Sequence, residues 1–82
     1  MTAVTLYTRP GCHLCDEARQ AILGLREELL AFELSEVNIE QDDDLMARYL
    51  ERIPVVAVDG ELVCELELKL DLLRARLDTV PR

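Results

Sequence analysis

The sequence predicts a small α/β domain in which a four-stranded mixed sheet carries helices on both faces. Short β-prone runs alternate with two stretches of helical periodicity, which is typical of a strand, helix, parallel-strand unit with a right-handed crossover. An apolar run, the Asp59-Gly60 turn and a second β-prone run then predict a hairpin in the same sheet. The predicted order of elements is β-α-β-α-β-β-α.

The composition bounds the size and class of the protein. Its 82 residues, half of them hydrophobic, predict a single domain over 1–82 that buries roughly 60–65% of its unfolded surface. The net charge of −8 argues against a nucleic-acid partner and against an anionic membrane surface. No apolar run approaches the roughly 20 residues of a membrane span, and the N-terminus lacks a signal-peptide pattern. We therefore expect a cytoplasmic protein.

The first two elements follow from hydrophobic periodicity. A β-prone run predicts a buried strand over about residues 3–8. Apolar residues then recur at helical spacing at Ala18, Ile22 and Leu25, with charged residues between them. This pattern predicts a helix over about residues 13–30.

The middle of the chain predicts a second strand and a capped helix. Apolar and polar residues alternate over about 32–38, which indicates a strand with one polar side. The acidic run 40–44 is interpreted as a solvated cap for a helix over 44–51. A metal site is the less favoured reading, because consecutive aspartates do not converge on one centre.

The last third contains the hairpin and an ambiguous leucine-rich segment. The hairpin begins in the apolar β-branched run 53–58, where Pro54 is tolerated because it stands at the first position of the strand. Leucines over 66–72 fit a strand period of two and a helix equally well. Economy of chain predicts that the last strand runs to about residue 66 and that a helix occupies about 69–79.

The stretch from Arg9 to Cys15 holds two of the three cysteines, between the first strand and the first helix. A thiol at a helix N-terminus faces unpaired backbone N–H groups and the positive end of the helix dipole, which favour the thiolate. Cys12 is therefore the predicted nucleophile. Cys15 lies nearly one helical turn further along, on the same side, and is the predicted resolving thiol. His13, the only histidine, can supply partial positive charge and a proton near neutral pH.

Alternatives for the cysteines stay open. A lone C-x-x-C also occurs as half of a zinc site or as two unrelated core thiols, although redox chemistry requires the strand-then-helix context seen here. Cys64 is interpreted as a small buried hydrophobic residue, with a third redox or metal-binding thiol as the alternative. A metal-binding protein would hold zinc or an iron–sulfur centre through Cys12, Cys15 and either Cys64 or His13.

Two separated motifs resemble the glutaredoxin-like branch of the thioredoxin superfamily. The first is Leu6-Tyr7-Thr8-Arg9-Pro10-Gly11-Cys12-His13-Leu14-Cys15-Asp16-Glu17-Ala18, and the second is Ile53-Pro54-Val55. The resemblance covers about residues 3 to 78 and implies a thioredoxin-like fold. It is closest to small bacterial-type glutaredoxin-like proteins of largely unassigned role.

The resemblance also implies roles for individual residues. Cys12 would be the attacking thiol, Cys15 the resolving thiol, and Pro54 a cis-proline against the dithiol. Ile53 would offer its backbone to an extended peptide or thiol substrate as though a strand were added. Arg9 stands where glutaredoxins often carry a lysine or arginine for a glutathione carboxylate.

The residues after the predicted hairpin depart from the family pattern. Glutaredoxins typically carry Gly-Gly and then acidic residues that hold the γ-glutamyl end of glutathione, whereas this chain has Val63-Cys64-Glu65-Leu66-Glu67. The electron donor, glutathione or thioredoxin reductase, therefore stays open.

The leading hypothesis is a monomeric thiol–disulfide oxidoreductase of cell redox homeostasis, which needs no metal and no bound cofactor. Its substrate would be a disulfide-containing protein or a low-molecular-weight thiol. The competing hypotheses are a metal-binding protein and a non-catalytic thioredoxin-fold adaptor.

Overall fold

The computed structural model describes residues 2–29 and 32–78. Strands and helices alternate in the order that the sequence predicts, with one additional 3₁₀ turn. The elements are β1 (Thr2–Thr8), α1 (His13–Leu29), β2 (Phe32–Asn38), the 3₁₀ turn (Ile39–Gln41), α2 (Asp43–Tyr49), β3 (Val55–Val58), β4 (Glu61–Glu65) and α3 (Leu70–Asp78).

The four strands form one mixed sheet in the order β2-β1-β3-β4. β1 and β2 are parallel, and their register runs from Thr2 opposite Phe32 to Thr8 opposite Asn38. β1 pairs antiparallel with β3, and β3 pairs antiparallel with β4. The predicted α/β class and mixed sheet are therefore confirmed. Because β1 and β2 are parallel, the segments that follow them emerge at the same edge of the sheet.

Different helices cover the two faces of the sheet, as predicted. The smaller core contains Tyr7, Tyr49 and Val55, and the two tyrosine rings lie 4.8 Å apart between centroids. Neighbouring strand residues alternate between the two cores because side chains along a strand point to opposite faces. The larger core, between the sheet and helices α1 and α3, contains Val4, Leu6, Ala18, Ile22, Leu25, Phe32, Val56, Val58, Cys64, Leu73 and Leu77.

The acidic segment before α2 caps that helix. Asp42 is the N-cap, and its Oδ1 accepts hydrogen bonds from the N–H groups of Asp44 at 2.9 Å and Leu45 at 3.3 Å. These bonds satisfy backbone donors that the first helical turn would otherwise leave unpaired. With this cap, α2 spans Asp43–Tyr49, slightly before the predicted 44–51.

The ambiguous leucine-rich segment resolves into a strand end, a loop and a helix. β4 ends at Glu65, Leu66 has a φ of 72°, and α3 begins at Leu70. The predicted boundaries at about 66 and 69 agree to within one residue, whereas the predicted helix ends at 30 and 79 lie outside the described residues. No helix within 2–29 and 32–78 is long and apolar enough to cross a membrane.

Candidate active site

A tight turn carries the chain from β1 into α1 and places Cys12 at the helix start. The Cys12 N–H donates to the Arg9 carbonyl at 3.3 Å, which closes the turn. Gly11 has a φ of 81°, in the left-handed region that a residue with a β-carbon adopts only at a cost. The turn therefore depends on glycine immediately before the first cysteine.

Cys12 occupies the N-cap position of α1. Its carbonyl accepts from the Asp16 N–H at 3.1 Å, which begins the helical hydrogen-bond ladder. Its Sγ accepts from the Cys15 N–H, also at 3.1 Å. The sulfur thus takes the place of the side-chain oxygen that serine, threonine or aspartate provides at most helix starts. A negative charge on this sulfur would be stabilised by the N–H donor and by the helix dipole.

Cys12 and Cys15 form a disulfide, with their Cα atoms 5.2 Å apart. The spacing predicted this pairing. The two residues differ in accessibility, because Cys15 is 1% exposed and Cys12 is partly exposed. The pair therefore presents one sulfur-bearing residue towards solvent and keeps the other beneath it.

His13 lies between the cysteines but its side chain faces solvent. It is 86% exposed, and Nε2 lies 3.9 Å from Oε1 of Glu17, one helical turn further along. A protonated imidazole there would have the Glu17 carboxylate as its nearest opposite charge. The negative charge of Glu17 opposes the positive charge of a protonated His13, which weakens the electrostatic effect of His13 on the sulfur of Cys12.

Arg9 is engaged in an ion pair that sequence reasoning missed. Its guanidinium lies 3.0 Å from the carboxylate of Glu40, and both side chains are 38% exposed. The parallel register explains the pairing, since Thr8 lies opposite Asn38 and the residues that follow each strand meet at one edge. A carboxylate ligand for Arg9 would have to compete with Glu40. The predicted parallel pairing of the first two strands already placed the residues after them at one edge of the sheet. Only the exact register shows that Arg9 meets Glu40.

Ile53 and Pro54 lie at the same end of the sheet as the start of α1. Tyr7 pairs with Val55 in the antiparallel register, so the residues before Val55 continue alongside the end of β1. The Ile53–Pro54 peptide bond is cis. The Ile53 N–H already donates to the Tyr49 carbonyl at 3.0 Å. A substrate backbone that paired with Ile53 would therefore have to donate an N–H group to the carbonyl of Ile53.

Cys64 belongs to the larger core, which includes neither Cys12 nor Cys15. It is 6% exposed, lies opposite Val56 in the β3–β4 pairing, and its Sγ donates to the Lys69 carbonyl at 3.6 Å. Within the described ranges, no three His, Cys, Asp or Glu side chains come together in a group that could hold a metal ion. The described residues therefore bring no further metal ligand to the Cys12–Cys15 pair.

A mixed sheet whose first helix starts at a C-x-x-C disulfide defines a dithiol protein of the thioredoxin-like class. The oxidised mitochondrial thioredoxin 3 of Saccharomyces cerevisiae matches this fold with a TM-score of 0.69 at 13% identity, over 96% of this chain and 78% of that one. The chain belongs to the glutaredoxin-like domain family (DUF836), whose sequence model matches residues 3–78. The predicted resemblance is confirmed.

Individual relatives agree with this assignment. The glutaredoxin-like protein YDR286C homolog of Dictyostelium discoideum is 26% identical over 84 residues, which cover 96% of this chain and 78% of that protein. The solution structure of protein Ne2328 from Nitrosomonas europaea has a TM-score of 0.80 at 30% identity, over 92% of this chain and 89% of that one. The X-ray structure of protein XcR50 from X. campestris has a TM-score of 0.76 at 35% identity, over 95% of this chain and 99% of that one.

Proposed function

We propose that this protein is a thiol–disulfide oxidoreductase in which Cys12 attacks the substrate and Cys15 resolves the intermediate. The observation that carries the proposal is the difference in accessibility between the two bonded cysteines at the start of α1. Disulfide exchange begins with a thiolate that can reach a substrate sulfur, and Cys12 is the more accessible partner. Membership of the glutaredoxin-like family supports the same class of chemistry.

The reaction has two balanced exchange steps. The Cys12 thiolate attacks a substrate disulfide, a mixed disulfide forms, and the first substrate sulfur leaves as a thiolate that takes a proton from water. Deprotonated Cys15 then attacks the Sγ of Cys12, which forms the Cys12–Cys15 bond and releases the second substrate sulfur. Two electrons pass from the dithiol to the substrate. A thiol reductant, such as glutathione or a dithiol reductase, must return them.

The helix start supplies the activation that this reaction needs. The Cys15 N–H donates to the Sγ of Cys12, and the other unpaired N–H groups of the first turn add a positive potential there. The exposed carboxylates of Asp16 and Glu17 act in the opposite direction but are screened by solvent. The net effect is to stabilise the thiolate of Cys12, which is the nucleophile of the first exchange step.

Trapping of the mixed disulfide tests the assignment of roles. Reduced Cys15→Ser should accumulate a covalent adduct with a model disulfide peptide, because Cys12 attacks and nothing resolves the product. Cys12→Ser should form little adduct and should lose the reductase activity. Intact-protein mass spectrometry measures both adducts over time. Comparable trapping rates in the two variants would refute the assignment.

Cys64→Ser is the matched control for these substitutions. Its sulfur lies in the larger core, so the variant should keep its activity and should still lose two titratable thiols on oxidation. A changed thiol count would bring Cys64 into the chemistry. If neither Cys12 nor Cys15 forms an adduct and no disulfide is reduced, the protein is an adaptor rather than an enzyme.

A further inference from the structure

We propose that a groove between α1 and the segment after β4 binds a positively charged, leucine-containing stretch of a protein substrate in preference to glutathione. The inference rests on the proposed function and names its substrate class. The groove has a volume of about 320 Å³, and one of its lining residues, Leu14, stands between Cys12 and Cys15 in the sequence. It is lined by Leu14, Glu17 and Ala18 from α1, and by Glu67, Leu68 and Leu70 from the following segment.

Exposed leucines line the groove or lie near its lining residues in the sequence. Leu14, between Cys12 and Cys15, is 52% exposed. Leu66 and Leu72, which flank the other wall in sequence, are 56% and 50% exposed. Exposed leucines at a groove that acidic side chains also line are typical of a surface that contacts another molecule. An aliphatic side chain of a substrate would remove this apolar area from water.

The charges around the groove are predominantly acidic. Glu17 and Glu67 line it, and Asp16 and Asp71 are exposed on the same two segments. Lys69 is the basic residue of the second segment, and His13 on α1 lies 3.9 Å from Glu17. The whole chain also carries a net charge of −8. This potential attracts lysine- and arginine-containing segments and accelerates their encounter with the dithiol.

The same charges disfavour glutathione, which carries more carboxylates than ammonium groups at neutral pH. Arg9, the cation that the resemblance assigns to a glutathione carboxylate, already holds Glu40 at 3.0 Å. A glutathione carboxylate would therefore displace one carboxylate and approach several others. A basic protein segment meets neither cost.

Binding to the oxidised protein tests the surface separately from the redox chemistry. We use two labelled peptides that share the same leucines but carry either lysines or glutamates, with serine in place of cysteine so that no exchange occurs. Fluorescence anisotropy at low salt gives each affinity. The tested variant is Glu67→Lys, and the matched control is Glu33→Lys, an exposed carboxylate on β2 at the opposite edge of the sheet.

We expect the wild type to bind the lysine peptide more tightly than the glutamate peptide. Glu67→Lys should lower the affinity for the lysine peptide about fivefold, because the change replaces attraction with repulsion. The same substitution should raise the affinity for the glutamate peptide. Glu33→Lys should change both affinities by less than about twofold, and the preference should decrease as salt screens the charges. Opposite effects on the two peptides exclude a folding defect.

Equal affinity of the wild type for both peptides would overturn the proposal, as would equal effects of the two substitutions. Oxidised glutathione that displaces the lysine peptide at comparable concentration would also overturn it. The proposed function is tested apart, with the cysteine-containing forms of the peptides. If the protein binds the lysine peptide selectively but does not reduce the disulfide of its cysteine-containing form, the proposed oxidoreductase function is refuted. The proposed binding surface would then still stand.

Discussion

Removing the N-cap sulfur of α1 should destabilise the reduced protein by an amount that the geometry sets. In Cys12→Ala the Cys15 N–H loses its acceptor, and Cys15 is only 1% exposed, so water replaces that acceptor poorly. Loss of an N-cap side chain costs about 1–2 kcal/mol in such a setting. Cys12→Ser keeps an oxygen acceptor and should lose much less. For a domain of this size the cost corresponds to a melting temperature about 5–10 °C lower.

The pH dependence of the same comparison reports on the thiolate itself. The helix start should hold the pKa of the Cys12 thiol below its unfolded value of about 8.5. Between the folded and the unfolded pKa, the thiol is therefore protonated in the unfolded chain and deprotonated in the folded one. The stability of reduced wild type relative to Cys12→Ser should therefore rise with pH through that window. It should level off above about pH 8.5. The total rise should be about 1–2 kcal/mol, the difference between a charge-assisted and a neutral hydrogen bond.

Urea unfolding under a strong reductant, repeated from pH 5 to pH 9, measures both quantities. Asp42→Ala provides a positive control, because Asp42 caps α2 by the same geometry. Gln20→Ala, at an exposed position of α1, should change the stability by less than about 0.5 kcal/mol. A wild-type advantage that does not vary with pH would show that the helix start does not stabilise the thiolate, and the activation argument would fail.

Three further substitutions have expected outcomes. His13→Ala should leave the thiolate absorbance titration of Cys12 unchanged, because the imidazole is 86% exposed; a titration displaced to higher pH would restore it to the mechanism. Arg74 holds Glu28 through two 3.0 Å hydrogen bonds and lowers the pKa of that carboxyl, so Glu28→Gln should reduce stability at neutral pH. That difference should vanish as pH falls through the lowered pKa, and a constant difference in urea midpoints would contradict it. Leu66→Gly should raise the unfolding free energy by up to about 1 kcal/mol, whereas Leu66→Ala should not, because only glycine relieves the cost of a positive φ.

The fold was predictable where local patterns and the whole sheet agree. The Asp59-Gly60 pair indicated a hairpin, and both residues adopt the positive φ that such a turn requires. The turn is tied back to β1, because the Asp59 N–H donates to the Ala3 carbonyl at 2.8 Å while Asp59 Oδ1 accepts from the Ala3 N–H. The 3₁₀ turn Ile39–Gln41 was missed because three residues are too few to show a helical period.

The site was predictable in its sulfur chemistry and less so in its charges. Spacing alone brings Cys15 back to Cys12, since three residues make nearly one helical turn. The Arg9–Glu40 ion pair depends on strand register, and the solvent-facing position of His13 depends on a side-chain rotamer. The spacing of hydrophobic residues along the sequence determines neither the strand register nor the rotamer. Reasoning from the sequence therefore found the reacting atoms but not the groups that surround them.

Leu66 is the position where the local preference of a residue and its conformation disagree most. A branched side chain at a φ of 72° is costly, and such a conformation persists only where other contacts impose it. One such contact is visible, because the Leu66 N–H donates to the Arg52 carbonyl at 2.8 Å. Arg52 immediately precedes Ile53 and Pro54. The bond therefore fixes one wall of the proposed substrate groove to the segment that lies beside the end of β1. The positive φ of Leu66 therefore accompanies a hydrogen bond that ties the residue before Glu67, which lines the groove, to the residue before Ile53.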